Sequence, residues 1–259
     1  MKRVASRDNP SFKALQRLAS HAGRRGAQAL LEGVHLCQTW LAQQGAPTLA
    51  VFDAERIDRP ELAALLAAVP PRSVLLLGPS LMKALETVET GQGVLFVVDP
   101  PAHELPECLD GNMVWLDAVQ DPGNVGTILR TCAAAGVTRV LLGAGTASAW
   151  SPKVLRSGQG AHFLLHVHEH VDLPACAARL SVPLVVATLD CAQDLYEADL
   201  PSTCAWVLGH EGQGVSEPLL RAASLRVRID HNPAVESLNV GIAAALCLFE
   251  QRRRSARSG

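Results

Sequence analysis

Residues 113–142 read MVWLDAVQDPGNVGTILRTCAAAGVTRVLL, and this stretch decides the fold. Met113 to Asp117 is a continuous apolar run of strand length that closes on an acid. Pro122-Gly123 make a turn, Asn124 is suited to cap a helix, and apolar residues recur over Val125–Ala135, with a buried face at Ile128 and Leu129. Arg139–Leu142 is a second apolar run. Two unbroken apolar strands joined by a helix predict a parallel pair covered on both faces.

The alternation continues on both sides. Downstream, strands are expected at Phe163–Val167, Leu184–Thr188, Trp206–Gly209 and Leu225–Ile229. Helices are expected at Leu173–Leu180 and Glu217–Ala222, with the longest at Leu238–Arg253. Upstream, the runs Leu49–Phe52, Ser73–Leu77 and Val94–Val98 alternate with helical stretches, Glu61–Ala68 after Pro60 and Leu81–Thr87 after Pro79-Ser80; a proline just inside a helix start costs no hydrogen bond. The proline-rich segment Asp99–Pro106 breaks the pattern and places a domain boundary. The fold class is therefore α/β: a small N-terminal α/β domain over 1–106, then a mostly parallel sheet domain over 107–259.

The 259 residues are 48% hydrophobic and 19% charged, which fits a globular protein and excludes a disordered one. The run Val240–Phe249 is about half the ~20 residues of a membrane span, and no apolar signal core follows the basic start, so a cytoplasmic protein is expected. Seven cysteines, Cys37, Cys108, Cys132, Cys176, Cys191, Cys204 and Cys247, are scattered without metal or redox spacing and read as reduced, mostly buried thiols. The net charge of −2 conceals an uneven distribution. Lys2, Arg3, Arg7, Lys13, Arg17, Arg24 and Arg25 face the single acid Asp8, and Arg252, Arg253, Arg254 and Arg257 crowd the other end. The N-terminal set suits RNA phosphates; the C-terminal run is read first as a solvated end.

Parallel sheets hold ligands beyond the carboxyl ends of their strands, which directs attention past Asp117, Thr188, Gly209 and Ile229. Three segments there carry polar groups. In the first, Arg130 follows Asn124 by nearly two helical turns and falls near the same side. In the second, Gly209-His-Glu211-Gly-Gln-Gly214 is a glycine-rich turn that lets the backbone approach a ligand. It contains neither the dinucleotide fingerprint nor a phosphate loop, and Glu211 would repel phosphate. In the third, Glu236-Ser237-Leu238-Asn239 stands at the start of the last helix, with Ser237 or Glu236 as candidate caps. Each has an ordinary alternative: a helix cap, a solvated glutamate, a helix start.

Asn124-x5-Arg130, Gly209-x-Glu211-Gly-x-Gly214 and Glu236-Ser-Leu-Asn-Val240 together resemble the three ordered motifs of the SpoU–TrmH family of RNA 2′-O-methyltransferases. Similarity extends over roughly 112–254, including Pro152–Arg156 and Gly160–Phe163. Ser6–Pro10 and Leu31-Glu32-Gly33 are similar to the substrate-binding domain that often precedes the catalytic one and resembles an RNA-binding ribosomal-protein fold. The resemblance implies a C-terminal deep trefoil knot, a homodimer whose sites are completed across the interface, and no metal. It implies S-adenosylmethionine bound by groups around Thr188, Leu208, Gly209, Ile229 and Leu238, with Glu211 and Gly214 in the glycine loop. It gives Asn124, Arg130, Glu211, Ser237 and Asn239 the chemistry. The sequence departs from the family before Glu236, where Pro233 stands at a usual glycine. Proline supplies no N–H, so any backbone contact there must differ.

In the family Arg130 is given a part in activating the ribose hydroxyl. A guanidinium keeps its proton and makes a poor base. A clamp on the adjacent RNA phosphate, lowering the hydroxyl's pKa and leaving the phosphate as possible proton acceptor, suits it better. Asn124, Ser237 and Asn239 would then orient the groups, with Glu211 holding the arginine or the loop. Ribosomal RNA is the first substrate expected and transfer RNA the second. A catalytically inactive RNA-binding module is the main competing function, while a nucleotide-dependent metabolic enzyme lacks its glycine fingerprint. His162, His166, His168 and His170 invite a metal reading, since the last three would share one strand face. No cysteine or paired carboxylate completes a shell there, so it is set aside.

Overall fold

The computed structural model describes residues 1–21, 28–88, 90–190 and 193–256. Arg24, Arg25, Cys191 and Arg257 lie outside the described residues. The chain forms two compact units, one of residues 1–102 with 150–163, the other of 103–149 with 164–259.

In the first unit the elements are β1 (Lys2–Val4), α1 (Pro10–His21), β2 (Ala29–Glu32), α2 (Val34–Gln43), β3 (Leu49–Asp53), α3 (Pro60–Ala68), β4 (Val74–Leu77), α4 (Pro79–Lys83) and β5 (Val94–Val98). The sheet order is β1-β4-β3-β5-β2, with β1, β4 and β3 parallel and β5 antiparallel to both β3 and β2. The strands expected at 49–52, 73–77 and 94–98 are all present. Neither β2 nor β1 is among the expected strands, and β1 is the extreme case. It is three residues long with only Val4 buried, so it carries no periodic signal and exists through its pairing with β4. Phe12 and Leu15 of α1 close the core over Val51, Leu75 and Leu95.

The second unit contains β6 (Met113–Asp117), α5 (Pro122–Ala135), β7 (Arg139–Gly143), β8 (His166–Val171), α7 (Leu173–Ala177), β9 (Leu184–Ala187), β10 (Ala205–Gly209), α8 (Glu217–Ala222), β11 (Leu225–Val227) and α9 (Val240–Ser255); α6 (Pro152–Gly158) lies in the first unit. All six strands are parallel, in the order β11-β9-β10-β6-β7-β8. Trp115, Val186 and Val207 pack in one core cluster, with Trp115 and Val207 fully buried from adjacent strands, which is why these strands read as unbroken apolar runs.

Strand β8 begins three residues later than the sequence suggested. Phe163 instead forms a short turn in the first unit, its ring edge-on to Trp40 at 5.2 Å and its carbonyl accepting from Gln44 Nε2 at 3.1 Å. His166 and His168 share a face of β8, as a strand would place them, since both rings meet His103, at 4.2 and 6.4 Å; only His170 lies at the irregular part of the strand. The register shifts between Leu141 and Gly143, His170 has φ +57°, and His168 is buried while His166 is exposed and stacks on His103 at 4.2 Å. Burial, with His103, Arg139 and His166 adding like charge, holds the His168 pKa at about 4. Among the described residues no group of three or more His, Cys, Asp or Glu could hold a metal, and no helix is long and apolar enough to cross a membrane.

Arg252 and Arg253 are exposed, as a solvated end would be, yet each of the three described C-terminal arginines is also tied to the fold. Arg252 Nη1 donates to the Ala135 carbonyl at 2.9 Å, at the end of α5. Arg253 and Arg254 both bind the buried carboxylate of Glu250, at 2.7 and 2.6 Å. Arg254 also donates to the carbonyls of Leu195 (3.2 Å), Tyr196 (2.6 Å) and Ala198.

Candidate active site

The site is assembled by strand register. Strands β10 and β6 pair so that Gly209 stands opposite Asp117, and the loops leaving both strands begin side by side. On the other side of β10, β9 and then β11 end at the same level, with Val227 opposite Ala187. The segments after Asp117, Thr188, Gly209 and Ile229 are thereby gathered at one end of one sheet.

The loop after β10 is closed on itself. His210 and Gly214 exchange backbone hydrogen bonds at 3.0 and 2.8 Å, while His210 Nδ1 accepts from Gly212 N and Gln213 N at 2.9 and 3.1 Å. A Cβ on Gly209 would lie 2.3–2.4 Å from the Gly214 backbone, a distance no side chain tolerates, and Gly214 itself has φ +71°. The missing side chain at Gly209 is therefore what lets the loop close. At Gly214 an added Cβ would meet nothing within 4 Å, so that side of the loop is open.

The closed loop presents Glu211 to the segment after β6. Its carboxylate accepts from Gln120 N (3.2 Å), Asp121 N (3.2 Å) and Asn124 Nδ2 (2.9 Å). Partial burial pushes the carboxyl's pKa up, but the hydrogen bonds from Asn124 and the loop N–H groups outweigh it, and the net shift is downward. Glu211 thus binds the loop and Asn124, not Arg130. Asn124 does not cap α5 either: Asp121 does, accepting from Asn124 N at 3.0 Å. Both ends of the Asn124 amide are used, because Asn239 Nδ2 donates to its Oδ1 at 2.9 Å. Asn239, rather than Ser237 or Glu236, caps α9, its Oδ1 accepting from Gly241 N (2.9 Å) and Ile242 N (3.3 Å).

Three of the five expected residues, Glu211, Asn124 and Asn239, are thus joined in one chain of hydrogen bonds. Ser237 and Arg130 stand outside it, exposed and without a hydrogen-bond partner among the described residues. Asp121 was missed as a cap, although Asp-Pro at a helix start is a legible signal. Pro233, the departure from the family pattern, has a local explanation. Asn232 Oδ1 accepts from Ala234 N and its carbonyl from Val235 N, both at 2.9 Å, which makes Asn232-Pro233-Ala234-Val235 a turn with proline at its second position.

The sequence profile of the SpoU rRNA Methylase family matches residues 111–249, more than half the chain. The chain belongs to the SpoU methylase family. An uncharacterized tRNA/rRNA methyltransferase of Synechocystis is 36% identical, covering 97% of this chain and 93% of that protein. The 23S rRNA (guanosine(2553)-2′-O)-methyltransferase RlmP of Bacillus subtilis is 32% identical over 97% of this chain and its own full length. Among solved structures, an AdoMet-bound rRNA methyltransferase from Sinorhizobium meliloti superposes with a TM-score of 0.84, at 26% identity over 98% of each chain. As a SpoU methylase the protein is an S-adenosylmethionine-dependent RNA ribose 2′-O-methyltransferase.

The residues present fit that cofactor. Three adjacent parallel strands end together at Ala187, Gly209 and Val227, so the backbone of the segments that follow them lies at one end of the sheet. Gly214 leaves open space, and Leu189 and Val235 expose apolar side chains on the same loops. Polar backbone edges beside apolar surface suit a nucleoside.

Proposed function

We propose that this SpoU methylase methylates a ribose 2′-hydroxyl of ribosomal RNA, with residues 107–259 as the methyltransferase domain and 1–106 as the RNA-binding domain. The Glu211–Asn124–Asn239 chain carries the reading, because it joins three sequence motifs into one site at the strand ends. Bound S-adenosylmethionine supplies an electrophilic methyl group. The protein supplies position, which accounts for much of the rate in such transfers. Groups at Thr188, Leu208, Gly209, Gly214, Ile229 and Leu238 hold the nucleoside and methionine parts. Glu211, Asn124 and Asn239 fix the loops. Ser237 and Arg130, without a hydrogen-bond partner among the described residues, meet the RNA. Arg130 clamps the phosphate beside the target ribose, which lowers the hydroxyl's pKa and leaves the phosphate to take the proton.

The active form is a homodimer. In support, Ile242 and Phe249 of α9 are 53% and 46% exposed and stand two turns apart on one helix face, a surface a second copy would cover. The C-terminal segment forms the trefoil knot. In support, β11 lies beyond β9 while α9 returns to pack on α5, so the chain recrosses the sheet. We place the enzyme in the cytoplasm, where it meets ribosomal RNA.

The test is methyl transfer from labelled S-adenosylmethionine to purified ribosomal and transfer RNA, with the product mapped. Label on a ribose 2′-oxygen of the large ribosomal RNA is expected. Label on a base, or on transfer RNA alone, would overturn the proposal.

A further inference from the structure

A cavity of about 690 Å³ opens in the first unit, between the start of α2, the turn before α3 and the segment 90–92. Its volume lies within the ~300–1,000 Å³ of small-ligand sites. Its lining is polar and rich in donors. The side chains of Arg59, His35 and Gln38 reach it without a hydrogen-bond partner among the described residues. Arg56 is fixed in place: its Nη1 donates to the Gly91 carbonyl at 2.7 Å and its Nε lies 3.7 Å from the buried carboxylate of Asp53. Among the described residues Nη2 of Arg56 has no hydrogen-bond partner. The wall opposite is equally fixed, since Gln92 Oε1 accepts from Val34 N at 2.7 Å. Among the described residues that line the cavity, Glu61 is the one carboxylate.

One guanidinium held in place, Arg56, and a second without a described partner, Arg59, suit a phosphate, for which the arginine fork has the right geometry. An imidazole, an amide and a carboxylate beside them suit the edge of a base, the carboxylate accepting from its N–H groups. A duplex offers neither a whole phosphate-to-base unit nor a base edge that can enter a cavity; an unpaired nucleotide offers both.

We propose that this cavity binds one unpaired nucleotide of the RNA substrate, its phosphate on Arg59 and Arg56 and its base edge on Glu61, Gln38 and His35. The site rests on the reading of the protein as an RNA methyltransferase and adds a requirement to it: the substrate presents a single-stranded nucleotide to the first unit.

The test measures RNA binding apart from catalysis, in the full-length protein. Affinity for a ribosomal RNA fragment is titrated against salt for the wild type, Arg59→Ala, Arg59→Lys and His35→Ala, and S-adenosylmethionine binding is followed by calorimetry. Arg59→Ala is expected to weaken RNA binding roughly tenfold and to lower the salt slope by about one. Arg59→Lys should restore the slope but not the full affinity, and cofactor binding should not change. A single-stranded oligoribonucleotide should compete, while the same sequence in a duplex should not. Unchanged RNA affinity in both Arg59→Ala and His35→Ala, or equal competition by duplex, would overturn the site. Absence of methyl transfer by the wild type would instead overturn the proposed function, leaving the binding result to stand alone.

Discussion

Asn239 Nδ2 donates a hydrogen bond to Asn124 Oδ1 at 2.9 Å across 115 residues of chain, tying the start of the last helix to the start of α5. Because Asn239 also caps α9, its two functions can be separated. Asn239→Ala should destabilise the fold by about 1 kcal/mol through the lost cap, which Asn124→Ala should not. Both should slow single-turnover methylation. The double variant should be no slower than the slower single one, since both remove the same link; additive losses in a double-mutant cycle would show that they act separately.

Glu211→Gln should change the acid limb of the enzyme. The folded carboxyl has a lowered pKa, so its contribution is complete above the unfolded value and fades as pH falls through the folded one. Cofactor affinity of the wild type should therefore fall below about pH 4, the ordinary range of a Glu carboxyl. In Glu211→Gln that dependence should be absent, with affinity already reduced at neutral pH. Calorimetric titration across the pH range checks both.

Gly209→Ala and Gly214→Ala should differ in severity. The first puts a methyl group 2.3 Å from backbone and must reopen the loop. The second meets open space and costs only the left-handed conformation, about 1–2 kcal/mol. Denaturant unfolding should rank them in that order, and Gly209→Ala should lose cofactor binding altogether.

Arg130 is exposed and unpaired, so Arg130→Ala should leave stability within about 0.5 kcal/mol of the wild type. Its single-turnover rate at saturating RNA should nevertheless fall at least tenfold, with Arg130→Lys intermediate because a point charge cannot reproduce the fork. Near-normal chemistry in Arg130→Ala would remove Arg130 from the mechanism.

Arg254→Ala should weaken cofactor binding from outside the pocket. Arg254 holds the carbonyls of 195–198, and that turn is stitched to β11's exit by Leu195 N to Arg228 O at 2.8 Å and Asp230 N to Asp194 Oδ2 at 3.2 Å. Glu250 anchors the arginine; hydrogen bonds from Arg253, opposed by burial and joined by Arg254, hold its carboxyl at about 2. The pair should accordingly persist through mild acid and be lost only as pH falls from about 4 toward 2. A higher S-adenosylmethionine Kd in Arg254→Ala, partly rescued in Arg254→Lys, is the expected result.

The unbroken apolar runs at 113–117, 184–187 and 205–209 made the parallel sheet legible, because a strand buried on both faces has no polar alternation to hide it. Edge strands were harder. Strand β1 owes its existence to β4, and β8 was set three residues early because Phe163 is as apolar as a strand residue and packs on Trp40 instead. The cap candidates in the sequence, Asn124 for α5 and Ser237 or Glu236 for α9, are near neighbours of the true ones. Several polar residues at each helix start are chemically able to cap, and only backbone geometry selects Asp121 and Asn239.

By itself the sequence determined the class of fold, the strand ends where chemistry would gather and the five polar residues offered there, since burial and motif spacing are written residue by residue. Tertiary structure decided which of those residues touch. The register of Gly209 with Asp117 brings Glu211 to Asn124, the turn into α9 brings Asn239 to the same amide, and Arg130 and Ser237 are left facing outward. Those contacts span 87 and 115 residues of chain. They depend on how strands stack, which no local pattern encodes.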